Sequence, residues 1–316
     1  MDNENKKLTP LKFLPDRQEM PWGSVEYLLA DLGFVDSMAC EGWLGGNTLS
    51  DILQTYLERL VGETSFEWYG TQFPVLVKKL DVKGRTSLHV NPDDETAGQR
   101  YDAFGKTALW YVEAAGPDAR LYLGLKQPVE AATFYEACQD GSVGTLLHRI
   151  TPKPGEFYLI PPGLVHAAKD VQLLEVAECS ELWFRLHNWK GTPERELHLE
   201  EAFDLIDFRS WKDSLPSADG SSSIPQFTVR TLSLSTPVRC QSGDEDSFHL
   251  YICLQGGAVL QAEKDYALRQ GELLLVPAEL DGYVIRPTRE GETASLLEVS
   301  LPPRESQDLV SEPAEE

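Results

Sequence analysis

The chain is short of positive charge. Its 316 residues carry 28 Lys and Arg against 51 Asp and Glu, a net charge of −23. A surface of that sign repels nucleic-acid backbones and anionic membranes, so neither is expected as a partner, although a few local basic side chains can still bind an anion. Cysteine is also sparse: Cys40, Cys138, Cys179, Cys240 and Cys253 are odd in number, irregularly spaced and free of any CxxC pair. That pattern excludes a disulfide framework and fits a reduced, cytoplasmic protein. No run approaches about 18 consecutive apolar residues, so no membrane span is expected. The N-terminal MDNENKKLTP has no apolar centre and does not read as a signal peptide. What is left is an ordinary globular composition, 41% apolar, in a chain long enough for two domains.

Most of the chain reads as short strands punctuated by turn residues. Runs at 73–80, 86–90, 109–113, 119–124, 157–160, 171–176 and 182–186 belong to a first domain, 1–200. Runs at 227–232, 248–254, 257–262, 266–268, 272–276, 282–286 and 294–299 belong to a second, 227–305. Many short strands of this kind build a sandwich or small barrel, so the fold class is mainly β. Helical periodicity occurs near 49–61, where Asn47 to Asp51 opens an apolar stripe that stops at Gly62, and near 128–149, with a break at Asp140-Gly141. The acidic residues after Pro92 favour a short helix up to Tyr101. Residues 201–226 contain a Ser/Gly/Pro-rich connection and read as a linker, and 306–316 as a disordered acidic tail. Gly155-Glu156-Phe157-Tyr158-Leu159-Ile160-Pro161 is echoed by Gly271-Glu272-Leu273-Leu274-Leu275-Val276-Pro277, which suggests two β-units of one type, only the first followed by a histidine.

That histidine is the strongest candidate for chemistry. In Gly155 to His166 a strand, a proline-glycine turn and then His166 follow in order, an arrangement that aims the imidazole into a barrel; the alternative is a hydrogen-bonded histidine at a crowded barrel mouth. In Ser87 to Asn91 the period of two puts His89 and Asn91 on one face. A His-x-His pair so placed would chelate a metal, but an amide at the second position is a weak ligand. Glu95 could bend back to add a carboxylate; the alternative is that Asp93, Asp94 and Glu95 simply cap a helix. Lys106 lies just before a strand, where it could act as a base or hold phosphate, or simply face solvent. Its Gly-Lys-Thr triplet lacks the glycine spacing of a nucleotide loop. Arg185, among the aromatics of a strand, needs an anionic partner: a ligand phosphate or carboxylate, or else Glu175 or Glu178.

With these residues in view, the chain resembles the type I mannose-6-phosphate isomerases over most of residues 9–300. The resemblance rests on Pro21-Trp22-Gly23, Phe73 to Lys78, Asn91-Pro92-Asp93-Asp94-Glu95, Gly105-Lys106-Thr107, Trp110-Tyr111, the Gly155 to Ala167 segment and Leu173 to Val176. It implies two cupin (jelly-roll) domains and the aldose–ketose isomerisation of a sugar phosphate, with mannose 6-phosphate to fructose 6-phosphate as the family reaction. A non-catalytic, sugar-phosphate-binding cupin is the alternative. The family's single divalent metal, usually zinc, is held by glutamine, two histidines and glutamate. Those positions fall on His89, Asn91, His166 and Ala108, so only His166 conforms and Ala108 supplies no donor. Zinc or another divalent metal is therefore expected to bind weakly or not at all, through His89 and His166 with Asn91 or Glu95. Lys106 and Arg185 match the family's active-site lysine and arginine and are expected to serve proton transfer and phosphate binding.

Overall fold

The computed structural model describes residues 6–210, 221–224, 226–240 and 246–302. The acidic tail expected at 306–316 and most of the Ser/Gly-rich stretch of the linker lie outside the described residues. The fold is mainly β, and its named strands pair antiparallel. Two compact units are each assembled from separated stretches of chain: one, the site unit, from Phe13–Met38 and Phe73–Gly220, the other from Met1–Lys12, Ala39–Gln72 and Ser221–Glu316. This differs from the sequential division at 200 and 227. The helical stretch near 49–61 belongs with the C-terminal strands, because Ala278 and Glu279 donate their backbone N–H groups to Leu60 and Arg59. The Arg59 guanidinium also grips the Glu279 carboxylate at 2.7 Å.

The site unit contains β1 (Asp16–Met20), β2 (Gly23–Leu29), β3 (Val75–Arg85), β4 (Leu88–Val90), β5 (Ala108–Leu125), β6 (Leu147–Ile150), β7 (Phe157–Ile160), β8 (His166–Glu178) and β9 (Phe184–His187). Strand β8 is the hub. It pairs with β3, with β5 and, through His166 opposite His89, with β4. The unbroken apolar opening of β3 is explained by cover on both faces: Val75, Leu76 and Val77 are fully buried. The two strands expected at 109–113 and 119–124 are one, β5, whose register against β8 slips on either side of Gly116-Pro117. The β1–β2 hairpin was not foreseen. Its tight turn needs Gly23, whose φ of 147° and close approach to the Asp81 carbonyl leave no room for a Cβ.

Helix boundaries also shift. Leu49–Tyr56 forms as expected, with Thr48 capping the Asp51 N–H at 3.2 Å and Leu49, Ile52, Leu53 and Tyr56 buried along one stripe. It breaks at Leu57, which has a positive φ of 49°, resumes for one turn at Glu58–Val61, and is followed by an unforeseen helix, Glu63–Tyr69. The helix expected over 128–149 is Ala131–Asp140; Gly141, at φ 80°, ends it, and Leu147–Ile150 is strand β6 paired to β5. The turn to Tyr101 is helix Asp94–Tyr101, capped by the Asp93 side chain on the Thr96 N–H.

The other unit contains β10 (Ser221–Ser223), β11 (Thr228–Leu234), β12 (Val238–Cys240), β13 (His249–Gln255), β14 (Gly257–Gln261), β15 (Asp265–Arg269), β16 (Leu273–Val276), β17 (Tyr283–Pro287) and β18 (Ala294–Ser300). Strands β10, β11, β18, β13 and β16 form one sheet, and β12, β17, β14 and β15 another. The sequence echo has a structural counterpart: Gly155 and Gly271 both take positive φ, 91° and 84°, ahead of four-residue strands.

A buried carboxylate, Glu298, organises the interior of this unit. Tyr251 donates its hydroxyl to Glu298 at 2.6 Å, His249 Nδ1 donates at 3.1 Å, and the Arg230 guanidinium donates as well. Burial raises the Glu298 pKa, but these donors more than offset it and bring it down to about 2. Because the folded pKa lies below the unfolded one, the stabilisation is complete above about pH 4.5 and is lost as pH falls towards 2; it amounts to about 3 kcal/mol. Glu298→Gln is expected to lower the urea unfolding midpoint clearly at pH 7 and progressively less below pH 4.5; a pH-independent difference would contradict this account.

Candidate active site

The turn between β7 and β8 delivers His166 as its sequence implied. The N–H of Gly163 donates to the Asn91 carbonyl at 3.0 Å, and that of Leu164 to Pro161 at 3.2 Å. Gly163 has φ 80°, and a Cβ there would lie 2.9 Å from the Leu205 carbonyl. His166 then opens β8 opposite His89. Its Nδ1 lies 2.9 Å from the Leu164 carbonyl. A carbonyl only accepts, so Nδ1 carries the proton and Nε2 keeps the lone pair. Burial pushes the His166 pKa down to about 4 and that of His89 well below its ordinary value, so both rings are neutral at pH 7. The ring centroids are 6.1 Å apart; His89 also lies against Trp183, centroids 4.4 Å apart, and its buried Nε2 has no hydrogen-bond partner.

Beside the histidines is a buried four-residue charge cluster. Glu175 Oε1 lies 3.3 Å from the ammonium groups of both Lys78 and Lys106, and Glu175 Oε2 accepts the Trp110 indole N–H at 2.7 Å. Glu181 pairs with Lys78 and, at 3.4 Å, with Lys106. Burial would favour the neutral forms. For Lys78 the two carboxylates outweigh it and raise the pKa, and for Glu175 and Glu181 the two lysines outweigh it and lower the pKa. Lys78, Glu175 and Glu181 are thereby held in their charged forms, and Lys106 lies within ion-pair distance of both carboxylates, so the charges of the cluster cancel. The pairing also answers the question left open for Arg185: Glu175 is taken by lysines, and Glu178 accepts the Thr107 N–H at 2.6 Å.

These groups line a cavity of about 100 Å³ together with Trp22, Tyr27, Asn91, Ala108, Trp183 and Arg195. Of the residues picked from sequence, His89, Asn91, Lys106, Ala108 and His166 come together here. Two do not. Glu95 is exposed in the first turn of its helix, where it accepts a hydrogen bond from Gln99 at 3.2 Å. Arg185 is buried outside the cavity lining, donating to the Ser87 hydroxyl at 3.2 Å and the Glu196 carbonyl at 2.6 Å, with its guanidinium over the Trp183 ring. Lys78, Glu181, Trp183 and Arg195 were missed. Lys78 and its neighbour Lys79 are the charges in the otherwise apolar 73–80 run, a signal that was present; Arg195 gave none, because a polar loop hides its role.

The donor set does not fit a tight zinc site. Among the described residues no group of three or more His, Cys, Asp and Glu side chains converges on a point a metal could occupy. The Asn91 amide N–H₂ donates to the Lys106 carbonyl at 3.2 Å, and Ala108 contributes nothing. Two neutral imidazoles and an amide fall short of the three strong protein ligands usual for catalytic zinc.

A mannose-6-phosphate isomerase of Streptococcus mutans is 30% identical over 221 residues, covering 65% of this chain and 68% of the relative. The chain belongs to the mannose-6-phosphate isomerase family. A Bacillus subtilis mannose-6-phosphate isomerase is 27% identical over 320 residues, covering 87% of this chain and 96% of the relative. No model of a protein family matches the chain. The crystal structure of mannose 6-phosphate isomerase from Bacillus subtilis superimposes with a TM-score of 0.79 at 23% identity, over 92% of this chain and 99% of that one. A mannose 6-phosphate isomerase structure bound with zinc and yttrium reaches 0.73 at 14% identity, over 94% of this chain and 100% of that one.

Two outcomes are expected. Competition with a chromogenic chelator should show zinc held no more tightly than about micromolar, and the double variant Asn91→His/Ala108→Glu should tighten it by at least about 100-fold; nanomolar zinc in the unaltered protein would contradict the donor count. Lys78→Met should destabilise the fold by about 3–5 kcal/mol, because it leaves a buried carboxylate short of its counter-charge; chemical denaturation measures it.

Proposed function

We propose that the protein binds a phosphorylated aldose in the site-unit cavity and interconverts it with the corresponding ketose, mannose 6-phosphate to fructose 6-phosphate being the reaction of its family, with an altered metal site. The observation that carries this reading is the presence, in one cavity, of a buried Lys106 whose Nζ lies 3.3 Å from the Glu175 carboxylate and of a His166 whose proton is fixed on Nδ1. Isomerisation moves a proton from C2 to C1 through an enediol, and negative charge develops on oxygen. The ammonium of Lys106 offsets that charge. The His166 Nε2 lone pair takes the proton, since both carboxylates of the cavity are committed to ammonium groups. A divalent metal is held weakly or not at all, and no step here runs through one. The partner is a small molecule. Among the described residues no helix is long and apolar enough to cross a membrane, and the cysteine usage supports a cytoplasmic setting.

A second reading is favoured by Ala108 and Asn91 specifically: the cavity retains a sugar phosphate without turning it over. One experiment separates the two. The protein is incubated with mannose 6-phosphate in D₂O, with and without added zinc, and the products are followed by NMR. Fructose 6-phosphate carrying deuterium at C1, and deuterium at C2 of the recovered mannose 6-phosphate, both reduced at least about 100-fold by Lys106→Ala, are expected for the isomerase. Calorimetric binding with no exchange at any zinc concentration would leave only the second reading.

A further inference from the structure

The cavity has one cation to spare. Lys78 and Lys106 are cancelled by Glu175 and Glu181, and Arg185 is engaged outside the lining. Arg195 remains. It lines the cavity, and among the described residues no hydrogen bond or ion pair engages its guanidinium. Counted over its lysine, arginine and glutamate side chains, the lining carries one net positive charge inside a protein of net charge −23.

The loop that carries Arg195 is held on both sides. Asn188 Nδ2 donates to the Arg195 carbonyl at 2.6 Å, and Arg185 Nη1 donates to the next carbonyl, that of Glu196, also at 2.6 Å. Two further bonds join the same residues: His198 N–H to the Arg185 carbonyl at 2.8 Å, and Arg185 N–H to the His198 ring Nδ1 at 3.0 Å. The side chain of Arg185 also reaches Ser87, two residues before His89, and covers Trp183, which lines the cavity. A buried guanidinium thus ties the Arg195 loop, the β4 strand and an aromatic wall into one piece.

We propose that Arg195 is the anion anchor of the cavity, that its ligand group is a phosphate monoester, and that Arg185 is a positioning residue acting through the Arg195 loop. A planar guanidinium with no competing partner presents two parallel N–H groups to a phosphate, which a lysine already shared between two carboxylates does not. The assignment rests on the reading of this cavity as a sugar-phosphate site and moves the phosphate away from Lys106 and Arg185, leaving Lys106 to face the sugar oxygens.

The test is isothermal titration of the full-length protein with mannose 6-phosphate, mannose and inorganic phosphate. Mannose 6-phosphate should bind more tightly than mannose. Arg195→Met should weaken mannose 6-phosphate by about 10- to 100-fold, with mannose unchanged and Arg195→Lys intermediate. Arg185→Gln should weaken only the phosphorylated ligand, with no further effect once Arg195→Met is present. The proposal is overturned if Arg195→Met keeps mannose 6-phosphate within two-fold, if it weakens mannose equally, or if wild-type protein does not distinguish the two sugars. Phosphate-dependent binding without deuterium exchange would sink the isomerase reading and leave the anchor standing.

Discussion

The site unit is organised by the mutual neutralisation of two lysines and two glutamates in its interior. A buried ion costs several kcal/mol unless it is paired and hydrogen-bonded. Here each carboxylate faces both ammonium groups, and Glu175 adds an indole donor from Trp110. The four residues come from β3, the segment just before β5, β8 and the turn after β8, so the cluster ties together the strands that wall the cavity. It also determines what the cavity can offer a ligand: the lysines cannot leave their carboxylates cheaply, so an anionic group that a ligand already carries on entry has to be met by something else.

The histidines respond to the same surroundings differently. Neither has a carboxylate close enough to hold it protonated, and His166 and the Nε2 of His89 are shielded from water, so both rings are neutral. Beside them Asn91 and Ala108 carry an amide and a methyl group. The surrounding charge pairs keep the cavity polar, while among the described residues no three His, Cys, Asp or Glu side chains converge as metal donors.

Much of this was legible in the sequence, for physical reasons that can be named. Strands bounded by glycine and proline, such as Phe157–Ile160, were read nearly to the residue, because turn chemistry and apolar runs are local. The Gly163 turn and the position of His166 were legible for the same reason. The depth of β8, the union of two apparent strands into β5 and the change of Leu147–Ile150 from helix to strand were not, because long-range pairing decides them. At the site, His89, Asn91, Lys106, Ala108 and His166 could be picked out from spacing and family likeness. Arg185 was picked as a residue of the site but lies outside the cavity lining, since an arginine on a strand looks the same in sequence whether it reaches a ligand or a loop carbonyl. Glu95 was a candidate only through its proximity in sequence, and the Asp93 cap turned its helix so that it points elsewhere.

The interleaved composition of the second unit has a consequence for how the chain is made. Its stretch at Leu8–Lys12 and its helices between Leu49 and Tyr69 leave the ribosome early, yet the side chain of Lys12 waits for a carboxylate 260 residues further on, at Glu272. At about 5–20 residues per second that wait is roughly 10 to 50 s. The apolar stripe of Leu49, Ile52 and Leu53 therefore exists for tens of seconds as nascent chain without its final partners, while the site unit can be completed during synthesis. The order of birth of these two units is the reverse of the order in which their first residues appear.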